Sequence, residues 1–348
     1  MKNKERDYRI ECLQKYGNNS LSFLTLDDSL SSFRGKWDGY IAYKELLKTA
    51  VVLGDPIVPN ESLRQAVKDL KDAFSLKKFH ICLVACTQNA IDVLQKEGFK
   101  GIYIGCEAVV DLKKFNISGN KNWRIRSSVN YAKRNYMIVE EYLYASKRDH
   151  NLENEIKTVS DEWGSMKKIP VYSFGCGLID FEKNKVRYFV CKHKNKVVGF
   201  ITYCPIPATK NYYLDLQRVG MDALRGTMDY IMVESFEMLK REGVKKIYIG
   251  LAPLSFPTQM KNIDTLTTNT LFSLLKPFFE FIYPAKTEFL FKKKYATYWE
   301  TNYMFFYPRI SIRAFLSFLR VFYKGETMSL ITHRTKCLIK CRSGKIRL

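Results

Sequence analysis

The 348-residue chain has no run approaching the roughly 18 uninterrupted apolar residues that a membrane-spanning helix requires, so no part of it is expected to cross a bilayer. Its start, MKNKERDYRIE, carries charges with no apolar stretch behind them, and no secretory leader is expected. Acidic residues are scarce: 35 Asp and Glu face 57 Lys and Arg, a formal net charge of +22. That excess is larger than solubility requires and points to a polyanionic partner, nucleic acid or an anionic lipid surface. It is also uneven. From Lys286 to Leu348 stand 14 Lys and Arg against three Glu, net +11, so half the excess lies in the last fifth of the chain. A disulfide framework is missing too, because the nine cysteines are odd in number and mostly stand singly in apolar surroundings, as Cys82 and Cys86 do in FHICLVAC. Reduced, buried thiols in a cytosolic protein are expected. One group with helical spacing, His333, Cys337 and Cys341, offers three ligands in a basic tail. That falls short of a four-ligand zinc set, and no metal is expected.

What is present is enough apolar material for two ordinary domains, 46% hydrophobic with 14% aromatic residues. YIAYKELLKTAVVLGDPIV reads as two strands stopped by Gly54-Asp55-Pro56. ESLRQAVKDLKDAFSLKK has apolar residues at 63, 67, 70 and 74, one helical face, opened by Glu61-Ser62. A strand FHICLVAC, a helix TQNAIDVLQKEG that Thr87 can cap, and a strand KGIYIG follow. The second half holds a strand pair, VRYFVCKHKNKVVGFITYCPI, hinged at Lys194-Asn195, then the strand NYYLDLQRV, a glycine-containing loop, a long helix TMDYIMVESFEMLKREG and the strand KKIYIGLAPL. The segments EGFKGIYIG (97–105) and EGVKKIYIG (242–250) share seven of nine letters. Each is a helix end, a glycine and an entering strand, the chemistry of any such turn, so the echo alone does not establish duplication. The shared order of strand pair, strand, loop, helix and strand does support it. The expected fold is α/β (α+β), two similar mixed sheets flanked by helices: residues 1–150, residues 151–310, and a basic amphipathic tail over 311–348.

Residues 212–255 carry the most chemistry. A strand is expected to end in Asp215 and Arg218, a loop carries Gly220, Arg225 and Gly226, and a helix opens at Thr227 with its amides facing that loop. A helix N-terminus beside an arginine suits a phosphate. GNAT-type acyltransferases hold the phosphates of an acyl donor with this order of elements. The glycine pattern of acetyl-CoA binders is only half met, because Gly220 and Gly226 stand too far apart, and this argues against coenzyme A.

LDLQR, GTMDYIMVE and the strand ending LAPLS resemble the cytosolic catalytic domain of the phosphatidylglycerol lysyltransferase, or multiple peptide resistance factor, family of aminoacyl-phosphatidylglycerol synthases. QKYGNNSLSFLTLDDSLSSF, VVLGDPI, GCEAVVDLKKFNISGNKNWRIRSSVNYAKRN and FLFKKKYATYWETNY appear in family order, and together these stretches cover roughly residues 14–308. The resemblance implies a duplicated GNAT-type fold, an aminoacyl-tRNA donor as co-substrate with no cofactor, a phosphatidylglycerol acceptor, Lys or Ala as the transferred group, and no metal. Full-length members also carry many spanning helices that move the product across the membrane, and none is expected here. By the same resemblance Asp215 and Arg218 match functional residues, the first as base or as a grip on the aminoacyl ammonium, the second for phosphate. In FKKKY, residues 291–295, Lys292 and Lys294 match functional lysines. Read as a strand, the segment would put both on one face and Lys293 on the other. The family that the chain resembles usually has an acidic residue where Lys293 stands.

Two further regions bear on partners. KNWRIRSSVNYAKR (121–134) interleaves Arg124, Arg126, Lys133 and Arg134 with Trp123 and Tyr131, a combination suited to a tRNA acceptor arm. Arg225, Gly226 and Thr227 complete the candidate substrate contacts, together with Asp55, which reads mainly as a turn former. LFSLLKPFFEFIYP (271–284) and IRAFLSFLRVFYKG (312–325) are apolar, and the second places Phe315, Leu316, Leu319 and Phe322 on one face, as an interfacial helix would. Cytoplasmic residence with peripheral attachment to the inner membrane face, through anionic phospholipid, is therefore expected. The alternatives are another lipid or a peptidoglycan precursor as acceptor, an acyl-CoA N-acyltransferase, and a module that binds RNA or lipid without catalysis.

Overall fold

A computed structural model describes residues 2–167, 174–182, 185–255 and 285–323. Eleven strands among them form one sheet: β1 (Ser31–Phe33), β2 (Ile41–Leu46), β3 (Thr49–Leu53), β4 (His80–Cys86), β5 (Lys100–Asp111), β6 (Ile138–Tyr142), β7 (Arg187–His193), β8 (Lys196–Ile206), β9 (Asn211–Val219), β10 (Lys246–Pro253) and β11 (Tyr298–Tyr307). The order across the sheet is β1-β2-β3-β4-β11-β5-β10-β9-β8-β7-β6. Described helices are α1 (Lys2–Tyr16), α2 (Leu63–Leu76), α3 (Gln88–Lys96), α4 (Trp123–Arg134), α5 (His150–Lys167), α6 (Thr227–Arg241), α7 (Ala285–Lys293) and α8 (Ile312–Phe322).

Local sequence accounts for most elements. The apolar period of α2 buries Val67, Leu70 and Phe74 beneath its strands. The β2–β3 and β7–β8 hairpins each turn on two residues at positive φ, Leu47-Lys48 and Lys194-Asn195, the backbone that matches strand twist. Gly98 and Gly243, the glycines of the nine-residue echo, have φ of 87° and 82°, the left-handed conformation that ends a helix. The two echoes are not equivalent. One opens β5 and the other β10, and those strands are antiparallel neighbours, Lys246 opposite Asp111.

The order β2-β3-α2-β4-α3-β5 recurs as β8-β9-α6-β10-α7-β11. Each half contains one parallel pair, β3 with β4 and β9 with β10. The last strand of each series then crosses over. β11 pairs with β4 and β5, whereas β5 pairs with β10. The halves therefore share one sheet through exchanged strands rather than standing as two sheets divided near residue 150.

The C-terminal helix departs from the sequence reading. α8 turns its apolar face inward, burying Phe315, Phe318, Leu319 and Val321 against the same core as Val51 and Cys82. Burying such side chains is worth roughly 1.5–3 kcal/mol each, and packing on the sheet takes up the face that an interfacial helix would have given to lipid. Ile312 (75% exposed) and Leu316 (44%) remain outside. The segment 271–284, the tail after residue 323 and the trio His333, Cys337 and Cys341 lie outside the described residues.

Candidate active site

The two parallel pairs differ where they end. β3 and β4 stay in register over five consecutive residue pairs, Thr49–Leu53 with His80–Val84. β9 and β10 are paired only at Tyr212 with Ile247 and at Tyr213 with Tyr248, and then separate. Both walls of the opening are bulged. On β9, Asp215 and Leu216 fall in the register shift against β8, where Leu216 N–H donates to the Thr202 hydroxyl (3.0 Å). On β10, Ile249 and Gly250 fall in the shift against β5. A bulge re-aims side chains and ends pairing, which is what parts these strands. Gly250 has φ 85°, and a Cβ there would meet Lys292 Nζ at 3.4 Å and the Tyr213 hydroxyl at 3.5 Å, so the bare backbone leaves both groups room.

Asp215 and Lys292 are brought to this opening. Asp215 Oδ1 accepts the Gly177 N–H (2.9 Å), and Cys204 Sγ lies 3.8 Å from Oδ2. A side chain at Gly177 would collide with Asp215, its Cβ only 1.8 Å from Oδ2. Lys292 projects from the last turn of α7 and is 5% exposed, with Nζ donating to the Leu251 carbonyl (2.5 Å) at the β10 bulge. Burial lowers its pKa, opposed by Glu288, Glu107 and Cys176. Cys176 links the cluster: burial pushes its thiol up to about 12, with Asp215 adding to the rise and Lys292 and Arg218 opposing it. Arg218 is half-buried, donates to the Ser160 hydroxyl of α5 and lies over the Trp163 ring at 5.2 Å. Desolvation lowers its pKa, while nearby Asp215 and Asp161 hold it up.

Lys294 goes elsewhere. Residues 291–293 are the end of a helix and not a strand, so the lysines do not share a face. Lys294 Nζ bonds to Asp229 (2.7 Å), which the Tyr295 hydroxyl also reaches. Asp229 sits in the first turn of α6, so the helix end read as an anion site already holds a carboxylate, favourably placed for the helix dipole. Thr227 is buried and turns its hydroxyl to the Leu224 carbonyl, Arg225 is exposed, and Gly226 (φ 85°) presses against Ser128 of α4. Asp215 stands mid-strand at the bulge and not at a strand end.

Asp55 is the first half's counterpart and is closed. Both its oxygens are taken by Thr87, Oδ1 by the N–H (3.0 Å) and Oδ2 by the hydroxyl. Thr87 thus precedes α3 without capping it by its side chain, because its hydroxyl serves Asp55. Burial pushes the Asp55 carboxyl up to about 6, against the two Thr87 bonds. On α4, Trp123, Arg124, Tyr131 and Arg134 are exposed. Arg126 instead closes the preceding loop through the Ile117 and Gly119 carbonyls, and Lys133 pairs with Glu234 at 2.9 Å.

A family model described as phosphatidylglycerol lysyltransferase, C-terminal, matches residues 10–306. The chain belongs to that family. A phosphatidylglycerol lysyltransferase of Bacillus subtilis is 26% identical over 305 residues, 84% of this chain and 34% of that protein. The chain thus spans about a third of that relative's length. Among solved structures, L-PGS from Bacillus licheniformis superposes with a TM-score of 0.77 at 24% identity, covering 90% of this chain and 95% of that one. A C-terminal domain assigned to a lysylphosphatidylglycerol synthetase of Agrobacterium fabrum gives 0.78 at 19%, covering 93% and 98%. The mixed α/β fold, one large sheet flanked by helices, is the one that these two neighbours share.

Within this phosphatidylglycerol lysyltransferase-family fold, a buried acid that no motif marked acts electrostatically on Lys292. Glu107 of β5 is 4% exposed, and burial pushes its carboxyl up to about 7. The signal was available: GCEAVV sets one carboxylate in an otherwise apolar run of the strand, and an acid there needs a reason. Among the described residues no helix is long and apolar enough to cross a membrane, and no group of three or more His, Cys, Asp or Glu could hold a metal ion.

Proposed function

We propose that this chain transfers an aminoacyl group, lysyl or alanyl, from aminoacyl-tRNA to the glycerol hydroxyl of phosphatidylglycerol at a membrane surface. The observation that carries the reading is Lys292, a buried ammonium at the opening between β9 and β10, with Asp215 held across the same cluster. Lys292 supplies positive charge to the carbonyl oxygen as the ester is attacked, in a dry site where such a charge acts most strongly. Asp215, fixed by Gly177, receives the aminoacyl ammonium. Arg218, anchored by Ser160 and Trp163, faces the phosphodiester.

The family supports this reading, as does a net charge of +22 suited to a polyanionic tRNA and an anionic lipid surface. The exposed cation and aromatic face of α4 lies beside the loop that carries Arg225, through the contact of Ser128 with Gly226. That face takes the acceptor arm of the tRNA. The test is transfer of radiolabel from charged tRNAs to lipid in phosphatidylglycerol vesicles. Labelled lipid from wild type and none from Lys292→Ala is the expected result. Vesicle and tRNA binding without labelled lipid overturns the phosphatidylglycerol acceptor, and the same assay with other lipids or peptidoglycan precursors then separates the alternatives.

A further inference from the structure

The residues placed so far leave the proton unassigned. Ester transfer to a hydroxyl needs a group that takes the hydroxyl proton and returns it to the leaving oxygen, and Lys292 and Asp215 have other work. Glu107 stands opposite Leu251 of β10 on one side and Glu300 of β11 on the other. It therefore lies across from the residue just after the β10 bulge, whose carbonyl holds Lys292. Its Oε2 accepts the Ser20 hydroxyl at 2.8 Å. Asn302 lies opposite Gly105, two residues from Glu107 and so on the same face. It is 3% exposed, close enough to favour the charged carboxylate, yet its Nδ2 reaches no acceptor at hydrogen-bond distance. A buried donor without an acceptor costs roughly 1–3 kcal/mol, which is understandable where a ligand oxygen fills the position.

We propose that Glu107 is the proton-transfer group of this reaction, with the Asn302 amide as a donor to the carbonyl oxygen beside Lys292. The inference rests on the aminoacyl-transfer reading above. As the lipid oxygen bonds to the ester carbonyl carbon, its proton passes to the Glu107 carboxylate. As that carbon releases the ribose oxygen, the proton passes from Glu107 to it. No other reactant is consumed. Glu107 has the surroundings such a group needs. Burial and Glu300 of β11 favour the protonated form, whereas Ser20, Lys292 of α7 and Asn302 favour the charged one; Tyr213 of β9 and Tyr248 of β10 also face it. The balance lies near neutral pH, where a group that both takes and gives a proton is most effective.

The test is the pH profile of kcat for transfer from charged tRNA to lipid. Wild type should show an acid limb near pH 7. Glu107→Gln, which keeps an acceptor for Ser20, should lower kcat about 100-fold or more, with KM for charged tRNA within about twofold, and should lose that limb. Ser20→Ala removes one bond that favours the charged carboxylate, so it should move the limb about half a unit or more to higher pH, a shift that a purely structural role would not produce. Asn302→Ala should lower kcat while keeping the limb. Glu107→Gln that retains more than about a tenth of kcat, or a limb that ignores both Glu107→Gln and Ser20→Ala in an active enzyme, overturns the assignment alone. If Glu107→Gln fails to fold, the Ser20→Ala shift decides. A wild type that labels no acceptor overturns the transfer reading and this inference with it.

Discussion

The two parallel strand pairs are the same piece of architecture put to different ends. β3 and β4 stay joined through five residue pairs, and the acid that follows, Asp55, is tied to Thr87. β9 and β10 part after two pairs, and the acid on β9, Asp215, is held beside the gap by a glycine amide. Two bulges make the difference, one on each wall. A closed pair stabilises the sheet, whereas an opened pair gives up ladder bonds and brings Lys292, Asp215 and Cys176 into one cluster where the strands part.

If that contrast is functional, breaking the open pair should remove activity and breaking the closed one should not. Lys292→Ala should cut single-turnover transfer about 100- to 1,000-fold with little change in melting temperature, as the loss of a preorganised donor does. Lys294→Ala should leave the rate within a few-fold while lowering stability by about 1 kcal/mol in urea titrations, since it takes away the charged one of the two partners of Asp229 and leaves the Tyr295 hydroxyl. Gly177→Ala sharpens the comparison: its Cβ displaces Asp215 without touching the carboxylate chemically, and a misplacement of that size should cost roughly 100-fold in transfer. Trp123→Ala with Arg124→Glu should weaken charged-tRNA binding about tenfold and flatten its salt dependence, leaving kcat alone.

The smallest effect on activity belongs to the closed pair. Burial raises the Asp55 carboxyl to about 6, so the folded chain keeps a proton that the unfolded chain releases near pH 4. Stability should therefore fall as pH rises from about 4 to 6, by on the order of 2–3 kcal/mol in all, and level off above that. Asp55→Asn, whose amide can still pair with Thr87, should abolish that decline in melts across this pH range. Its transfer rate should stay within about twofold of wild type.

Much of this was legible in the chain because it is local. Hairpins at Lys194-Asn195, the face of α2 and the glycine stops at Gly98 and Gly243 are written in neighbouring residues. Asp215 and Lys292 were found through motif, and the structure brings them to one opening. The geometry around Lys292 was not legible: three successive lysines have no period, and the end of a helix and an alternating strand look alike over five residues. The fate of α8 was hidden for another reason. An apolar helical face reads the same whether sheet or lipid covers it. The exchange of β5 and β11 had no local mark, because it is a pairing between strands far apart in sequence.

That exchange has a consequence for how the chain comes to be folded. During synthesis β4 finds β3 early, but its other edge meets β11 only when residues about 200 positions later have emerged, Tyr303 opposite Cys86. Contacts of such separation slow folding and leave an unsatisfied strand edge in the meantime, an opening for aggregation that chaperones must cover. The segment that closes the sheet, residues 285–307, also delivers Lys292. In a nascent chain the candidate site is thus incomplete until the central ladder is formed, and quality control that senses the open edge would remove the molecules whose site has not been assembled.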